Sequence, residues 1–502
     1  MKIILIKLIQ NELLKILKKK SIYILFVILA IVIIIYNYIN VDQNFDVIKL
    51  DTLDMPVKLF EDNLEKIEGN SENYIEQKTS LDFAKLYNRY NENSWQRYAL
   101  NEEKSSHSVE DFPTDLHHDI TLILSSINDY EFNPHSKIAM QDYEIAKNKF
   151  LEYLEVLDKN DWKQFVNLKI KNLKERKKQS SISTDESRSL DIEIEIYQYR
   201  VDYNIEFKYD TLNQYIENLR SSQYLLESFL KTERFSSFYY KFIEEETAKI
   251  ALYKYAIENR IVSDISNEVN VISDNQIDAR IAFIRTFDHF DILIIIIAIY
   301  MSCTIIMEEK NRGTIKSLLL KPHKRSNILI SKIFACIITI LITILYIILV
   351  QYIVGGITFG FDSYNLDYIG YDYHHHQVFT MNLFCYLLLV GLAKLPMYVF
   401  IITFCILMGI INNNTAMTMI LTLIIFILSG TIISEWSKYD GITFISSFFI
   451  TNNLDFSKYL FGKTSDITGL TPLFSSFIYL AYEISIWGIS IHKFIKKDIY
   501  NI

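Results

Sequence analysis

Long apolar runs alternate with polar segments along this chain, and one polar segment is much longer than the others. Each run approaches the ~20 residues that a helix needs to cross about 30 Å of hydrocarbon. The long polar segment lies between the first two runs. This pattern predicts an all-α membrane protein with six transmembrane helices, at residues 21–40, 290–307, 328–354, 392–411, 415–433 and 471–491.

The long polar segment, residues 41–289, is predicted to be a large and mostly helical domain. It contains one glycine and three prolines, and none of them lies between Ala139 and His289. Long helices are expected where strong helix breakers are absent. Residues 143–178 are predicted to form a helical hairpin, and the alternating stretch 190–196 is also predicted to be helical because its apolar stripe continues at helical spacing.

A weak internal repeat relates residues 194–205 to residues 250–261. Both fit Ile-x-[Ile/Leu]-Tyr-x-Tyr-x-[Val/Ile]-[Asp/Glu]-x-x-Ile. Two explanations are open: similar helices that pack the same Tyr and Ile stripe, or coincidence in a chain rich in both residues. The serine-rich segment 178–189 is predicted to be an exposed hinge.

Charge predicts the orientation in the membrane. Residues 41–289 carry 47 Asp and Glu against 31 Lys and Arg, while Lys and Arg predominate in the rest of the chain. Basic residues cluster in residues 1–20, 308–327 and 492–502, which lie on the same side of a six-span protein and are therefore expected in the cytosol. Both termini would be cytosolic in the plasma membrane, and residues 41–289, 355–391 and 434–470 would lie outside. Residues 1–20 are also amphipathic, with charged residues such as Lys7, Glu12 and Lys15 off the apolar face, and predict an interfacial helix.

The segment between the second and third runs has the most specific pattern. Residues 308–327 hold two acidic residues, a Gly-Thr pair, a leucine cluster, a proline and a basic residue, followed by a lysine that opens the third run: Glu308, Glu309, Gly313, Thr314, Leu318, Leu319, Leu320, Pro322, Arg325 and Lys332. This string resembles the ABC-2 family of ABC-transporter membrane subunits. The resemblance covers residues 1–40 and roughly 280–502.

The resemblance implies a permease without enzymatic activity of its own that works with several partners. Two copies of a separate ATPase subunit would bind ATP and Mg²⁺, and this chain would bind no cofactor. A second permease subunit, identical or homologous, and membrane lipid complete the expected assembly. The substrate of such an exporter would be an antimicrobial peptide or a drug, and the acidic outer domain gives no reason to expect nucleic-acid binding.

The resemblance also assigns roles within residues 308–327. Glu308 and Glu309 would end the second span, and Arg312, Gly313 and Thr314 would open a coupling helix that lies in a groove of the ATPase. Leu318 and Leu319 would form its apolar face. Pro322 would end it, and Arg325 would anchor the third span. A loop that is basic only because it faces the cytosol is the simpler alternative.

Other candidate residues have less specific patterns. His374, His375 and His376 could hold a transition metal, but adjacent side chains point in different directions, and we predict a polar loop without metal.

Lys394 and Pro396 interrupt an apolar run that is too long for one span, which predicts an interfacial helix at 379–392 and a break before the fourth span. Gly462, Lys463 and Thr464 look like the end of a phosphate-binding loop, but Ser457 stands where that motif needs glycine.

Two other functions also fit the sequence. The chain could be an extracellular peptide sensor or resistance module that works with a partner, or a membrane scaffold that transports nothing. Residues 280–290 lead into the second run without a breaker. A helix that continues from the outer domain to Glu308 is therefore expected, and it would link that domain mechanically to the loop.

Overall fold

The computed structural model places the chain in two compact units. It describes residues 2–43, 54–66, 71–104, 119–132, 137–178, 183–231, 237–261, 278–311, 324–412, 414–436, 443–465 and 470–496. Residues 1–47 and 266–502 form one unit, which we call the bundle. Residues 48–265 form the other, which we call the insert.

Helices account for nearly all of the regular structure in the described residues. In chain order they are α1 (Lys2–Leu17), α2 (Lys20–Gln43), α3 (Val57–Glu65), α4 (Ser71–Asn88), α5 (Trp95–Lys104), α6 (Asp119–Phe132), α7 (Lys137–Asp158), α8 (Trp162–Lys177), α9 (Thr184–Asp202), α10 (Thr211–Lys231), α11 (Ser237–Glu258), α12 (Ala279–Ile284), α13 (Thr286–Asn311), α14 (Arg325–Phe359), α15 (Leu383–Ile411), α16 (Thr415–Trp436), α17 (Thr443–Ser446) and α18 (Pro472–Lys496). Strands β1 (Tyr368–Asp372) and β2 (Gln377–Met381) pair in an antiparallel hairpin, and short 3₁₀ turns occupy Asp362–Asn365, Ile450–Asn453 and Ser457–Gly462.

Several helices of the bundle are long and apolar enough to cross a membrane. Among the described residues they are Lys20–Asn40, Ala279–Asn311, Arg325–Phe359, Leu383–Ile411 and Pro472–Ile495. The predicted span 415–433 lies in α16, whose residues Thr415–Phe426 form a shorter apolar helix. The chain is therefore a helical, multi-pass membrane protein.

The second predicted span begins earlier than the apolar run indicated. Arg280 and Phe283, which had been assigned to the outer domain, lie in the bundle and are buried. The Arg280 side chain donates hydrogen bonds of 3.2 Å and 3.1 Å to the Asp367 carbonyl. A polar residue is therefore held in the bundle by a partner that hydropathy does not reveal.

The expected helix that continues from the outer domain through the second span is not observed. Asp278 has an extended backbone and caps α12, since its carboxylate accepts a hydrogen bond of 2.7 Å from the Ile281 amide. A side chain that caps the first turn marks the point where a helix begins. The helical path to Glu308 therefore starts at Ala279, with one irregular residue at Arg285.

The interfacial helix at 379–392 and the break near Pro396 are also wrong. Phe379 lies in strand β2, and α15 runs without interruption from Leu383 to Ile411 with Pro396 inside it. Asn382 caps this helix by accepting a hydrogen bond of 3.0 Å from the Phe384 amide. Neighbouring helices allow a membrane helix to keep an internal proline, and this explains why the run is one helix.

The insert has its own apolar core, built mainly from α4 to α9. The predicted hairpin at 143–178 is confirmed, because α7 and α8 meet at a turn in which Asn160 has a positive φ of 56°. The stretch 190–196 is helical, as predicted. The hinge predicted at 178–189 is wrong in its second half: Ser183 caps α9, and Ser189 is fully buried.

The two repeat segments end their helices in the same way. Asn204 and Arg260 have φ values of 52° and 49°, in the left-handed region. The amide of the next residue reaches back to a carbonyl of the last helical turn, at 2.9 Å from Ile205 to Arg200 and at 2.9 Å from Ile261 to Ala256. A buried apolar residue after a left-handed residue is typical of the Schellman motif. The repeat is therefore a shared helix-ending motif, with Ile205 and Ile261 as its apolar anchors.

A cluster of charged side chains lies inside the insert. Arg220 donates to Glu217 at 2.6 Å and pairs with Glu193 at 3.2 Å, while Arg200 pairs with Glu102. Tyr224 donates to Glu193 at 3.0 Å, and Lys169 lies 3.7 Å from Asp119. Burial and the neighbouring carboxylates raise the pKa of Glu102 to about 7, although Arg200 and Arg220 oppose the shift. Burial lowers the pKa of Lys169 to about 7.

These two pKa shifts predict an unusual pH dependence for the stability of the insert. Between pH 4.5 and 7 the folded state binds more protons at Glu102 than the unfolded state, and its stability should therefore fall as pH rises. Above pH 7 the unfolded state binds more protons at Lys169, and stability should rise again. We expect a minimum near pH 7, with a slope of about 1 kcal/mol per pH unit on either side.

Hydrogen exchange of α9 and α10 in the full chain, corrected for the chemical effect of pH, measures this profile. Glu102→Gln should remove the acid side of the minimum. It should keep an alkaline side that begins at a lower pH, because the Glu102 carboxylate raises the pKa of Lys169. A profile that is the same in this variant and in the wild type would contradict the assignment.

Candidate functional site

Four charged side chains meet where α1, α13 and α14 come together. Lys332, in the second turn of α14, is 1% exposed, and its ammonium lies 2.8 Å from a carboxylate oxygen of Glu12 and 2.8 Å from one of Glu309. Lys15 closes the arrangement at 2.7 Å from Glu12 and 2.7 Å from Glu309. Two acids and two bases therefore alternate, and we call these four residues the charge ring.

The charge ring is buried on one side and open to solvent on the other. The side chains of Glu12 and Glu309 are 5% and 13% exposed, whereas that of Lys15 is 48% exposed. Burial would lower the pKa of Lys15, but its hydrogen bonds to the two carboxylates outweigh this effect and raise the pKa. Lys15 therefore stays protonated at neutral pH and balances the second carboxylate.

Neighbouring contacts extend the ring along the N-terminal helices. Lys19 lies 3.0 Å from Glu308, and the Tyr300 hydroxyl donates to the Ser21 hydroxyl at 2.6 Å. Both acidic residues predicted to end the second span thus bind the beginning of the chain. The amphipathic N-terminal helix predicted from the sequence is present as α1, and it packs against α14.

Other helix ends reach the same end of the bundle. Arg325, at the start of α14, donates to the Ile495 carbonyl of α18 at 2.7 Å. Lys310, at the end of α13, donates to the Asn412 carbonyl after α15 at 2.7 Å. The segment between α13 and α14 therefore starts and finishes among the ends of α1, α15 and α18. The predicted site residues within that segment lie outside the described residues: Arg312, Gly313, Thr314, Leu318, Leu319 and Pro322.

The sequence pattern misplaced one member of the charge ring. Glu12 and Lys15 were assigned to the polar face of an interfacial helix, but Glu12 is buried beside Ile16 and points at α14. The signal that could have found it is the lone acidic residue in a basic segment, since Lys332 needs a carboxylate partner inside the protein.

A second charged group lies near the other end of α13. The Lys394 ammonium is 3.1 Å from Asp291 and 2.8 Å from Asp455, and the Tyr398 hydroxyl also donates to Asp291. We call these four residues the distal cluster. Asp291 and Glu309 are 18 residues apart on α13, which is about 27 Å along the helix. The distance between the distal cluster and the charge ring is therefore close to the thickness of the hydrocarbon core, which is about 30 Å.

The distal cluster fastens the segment before α18 to the helices. Burial would raise the pKa of Asp455, but the attraction of Lys394 outweighs it and lowers the pKa. Asp455 is therefore ionised at neutral pH. Lys394, which the sequence pattern places at a break before the fourth span, instead has two carboxylate partners from other parts of the bundle.

The three histidines form the turn of the hairpin between β1 and β2. Asp372 accepts hydrogen bonds from the amides of His374 and His375, at 2.9 Å and 3.3 Å, and lies 2.7 Å from the His375 ring. No group of three or more potential metal ligands comes together in the part of the chain that the structure describes.

The Gly462-Lys463-Thr464 segment packs on this hairpin turn. Gly462 has a φ of 79°, and a Cβ at this position would lie 2.7 Å from the His374 ring. The segment begins at the last residue of a 3₁₀ turn, whereas a phosphate-binding loop follows a strand and opens a helix.

Comparisons with other proteins give relatives without a known function. Residues 261–500 match the family described as "Protein of unknown function (DUF2705)". "Uncharacterized protein YhcI" of Bacillus subtilis (strain 168) is 25% identical over 255 residues, which are 50% of this chain and 76% of that protein. "Uncharacterized membrane protein YdbK" of the same organism is 25% identical over 229 residues, which are 46% of this chain and 87% of that protein. No solved structure matches the chain.

Proposed function

We propose that this chain is the membrane subunit of an ABC-2 type transporter and that a separate ATPase drives it through residues 308–327. One observation supports this proposal above the others. The charge ring joins the helix that enters this segment to the helix that leaves it, through Glu309 and Lys332. A partner that moves the segment would therefore act on α13 and α14 together.

The energetics of the charge ring support such a role. Separating a buried lysine from its carboxylates leaves charges without partners, at a cost of roughly 3–5 kcal/mol. The two helix ends should therefore move as one body when the segment is pushed. Because α13 also carries Asp291, the same motion would reach the distal cluster about 27 Å away.

The remaining parts of the proposal follow from charge and from the resemblance. The end with the charge ring faces the cytosol, and the insert lies outside the cell. Two ATPase subunits bind ATP and Mg²⁺, and a second permease subunit completes the transporter in the lipid bilayer. The transported substrate is an antimicrobial peptide or a drug, which the insert captures outside or releases there.

Association with an ATPase tests this proposal directly. Purification of the full chain from its native membranes should recover an ATPase subunit with nucleotide-binding motifs. Replacing Leu318 and Leu319 by aspartate should reduce that recovery by about tenfold or more, because two charges would be buried in the contact. Lys316→Ala with Lys321→Ala in the same segment keeps the leucines and serves as the matched control.

Two results would contradict the proposal. One is the absence of any ATPase from the wild-type preparation. The other is full recovery of the ATPase with a correctly inserted Leu318→Asp, Leu319→Asp variant.

A further inference from the structure

A buried acidic side chain that has no basic partner among the described residues lies inside the bundle, apart from both charged groups described above. Glu483 is on the inward face of α18 and is 8% exposed. Trp487 donates from its indole nitrogen to one carboxylate oxygen at 2.7 Å, and the Thr403 hydroxyl of α15 lies 3.1 Å from the other. No Lys, Arg or His in the described part of the chain lies within 4.0 Å of this carboxylate.

The depth of Glu483 makes an unpaired negative charge unfavourable. Its partner Thr403 lies nine residues beyond Lys394 on α15, which is about 13.5 Å along the helix. Glu483 is therefore near the middle of a hydrocarbon core about 30 Å thick. An ionised acidic residue at that depth costs roughly 2.5–3.5 kcal/mol, and a lone carboxylate is expected to be neutral or to face a cation.

The hydrogen bonds around Glu483 suit a carboxyl group that changes its protonation state. The Thr403 hydroxyl has one proton and two oxygens within reach, the Phe400 carbonyl at 3.0 Å and Glu483 at 3.1 Å. When Thr403 donates to Phe400, its oxygen can accept a hydrogen bond from the O–H of a neutral Glu483. When Thr403 rotates and donates to Glu483 instead, the same site suits the ionised carboxylate.

Aromatic rings lie on the helices that carry Glu483 and its partner Thr403, and Phe400 also packs against a ring of α16. Tyr479 and Trp487 lie one turn before and one turn after Glu483 on α18. The Phe400 ring centre lies 6.5 Å from that of Tyr479 and 6.0 Å from that of Phe426. The faces of such rings attract organic cations, most strongly where water is excluded.

We propose that Glu483 and the rings of Phe400, Phe426, Tyr479 and Trp487 bind a lipophilic organic cation. The inference rests on the proposed transport function and names the substrate class. On binding, the O–H bond of the neutral Glu483 breaks, the proton leaves to water, and the carboxylate pairs with the cation. Charge is balanced at each stage, since one proton is exchanged for one monovalent cation.

Tetraphenylphosphonium is a suitable probe because it is apolar, aromatic and positively charged. Its binding to the purified full chain in lipid nanodiscs can be measured by calorimetry in two buffers of different ionisation enthalpy, with empty nanodiscs subtracted. We expect binding with release of about one proton, and Glu483→Gln should weaken it by at least about tenfold and release none. Asp362→Asn, at an exposed acidic residue, is the matched control and should bind as the wild type does.

Tetraphenylborate, of the same shape and opposite charge, separates electrostatic recognition from simple apolar partitioning. It should neither bind at this site nor compete with the phosphonium. Equal phosphonium binding by the wild type and Glu483→Gln, binding without proton release, or competition by the borate would overturn the proposal.

A second variant keeps the proposal testable if Glu483→Gln does not fold. Trp487→Leu removes one ring and the indole donor, and it should weaken phosphonium binding by about fivefold or more. Unchanged binding by this variant would also overturn the proposal. Because no ATPase is present in this measurement, its outcome is independent of the Leu318 and Leu319 experiment.

Discussion

Replacing Lys332 by methionine should destabilise the bundle by about 3–5 kcal/mol, because Glu12 and Glu309 would remain buried without their shared cation. Lys332 is 1% exposed and lies 2.8 Å from each carboxylate, whereas Lys15 reaches them from the solvent side. Thermal unfolding of the purified full chain, followed by circular dichroism, measures the loss.

Lys15→Met is the matched control for this experiment. Lys15 makes the same number of ion pairs in the ring, but its side chain is 48% exposed. Water can partly replace the half-exposed Lys15 ammonium at the carboxylates but cannot reach the buried Lys332 site, and the control should therefore lose clearly less stability than Lys332→Met. Equal losses in the two variants would show that burial does not determine the role of Lys332.

A variant that removes all three buried charges of the ring distinguishes the contribution of the ring to stability from its contribution to coupling with the ATPase. The triple variant Glu12→Gln, Glu309→Gln, Lys332→Met keeps the shapes of the side chains but leaves no buried charge without a partner. Replacing a whole buried charge group is often close to neutral for stability. We expect this variant to fold near the wild-type temperature but to lose ATPase-driven transport, because α13 and α14 are no longer held together by ion pairs. Normal transport by the triple variant would contradict the role proposed for the ring.

Apolar runs located long helices of the bundle because each run is a local property of the sequence. Residues 328–354 were predicted as a span and lie within α14, and the helix extends beyond the run at both ends. A run cannot show where a helix ends once tertiary contacts stabilise the extra turns. The cap at Asp278 and the bonds of Arg280 to residue 367 are contacts of this kind.

The charged sites were harder to predict because their partners are distant in sequence. Lys332 and Glu12 are separated by 320 positions, and Lys394 is separated from Asp291 by 103. From hydropathy alone, Lys394 is predicted to interrupt a helix, whereas in the structure its ammonium contacts two carboxylates. The hairpin at 368–381 was missed for a similar reason. Its strands are short, and Tyr368 and Phe379 are held by packing against rings elsewhere, including Tyr386 and Phe461.

The second large loss of stability is expected on substitution of Lys394 in the distal cluster. Lys394→Met should destabilise the bundle by about 2–3 kcal/mol, because Asp291 and Asp455, whose side chains are only 20% and 35% exposed, would lose their shared cation. Asp455→Asn should be milder, at about 1–2 kcal/mol, because Lys394 and Asp291 still form a neutral pair with the Tyr398 hydroxyl bound to it. Lys493→Met, at an exposed position of α18, is the control and should have little effect.

The double variant Lys394→Met, Asp455→Asn provides the sharpest test of this cluster. It leaves one carboxylate, Asp291, which keeps the hydrogen bond from Tyr398. We therefore expect the double variant to be more stable than Lys394→Met alone, although it carries one more substitution. Residues that share one ion-pair network show such coupling, whereas independent sites lose stability additively. Thermal unfolding of the four proteins in the same detergent measures the coupling. Additive losses would mean that Lys394 does not neutralise Asp291 and Asp455 together, and that the segment around Asp455 is fastened to the bundle by other contacts.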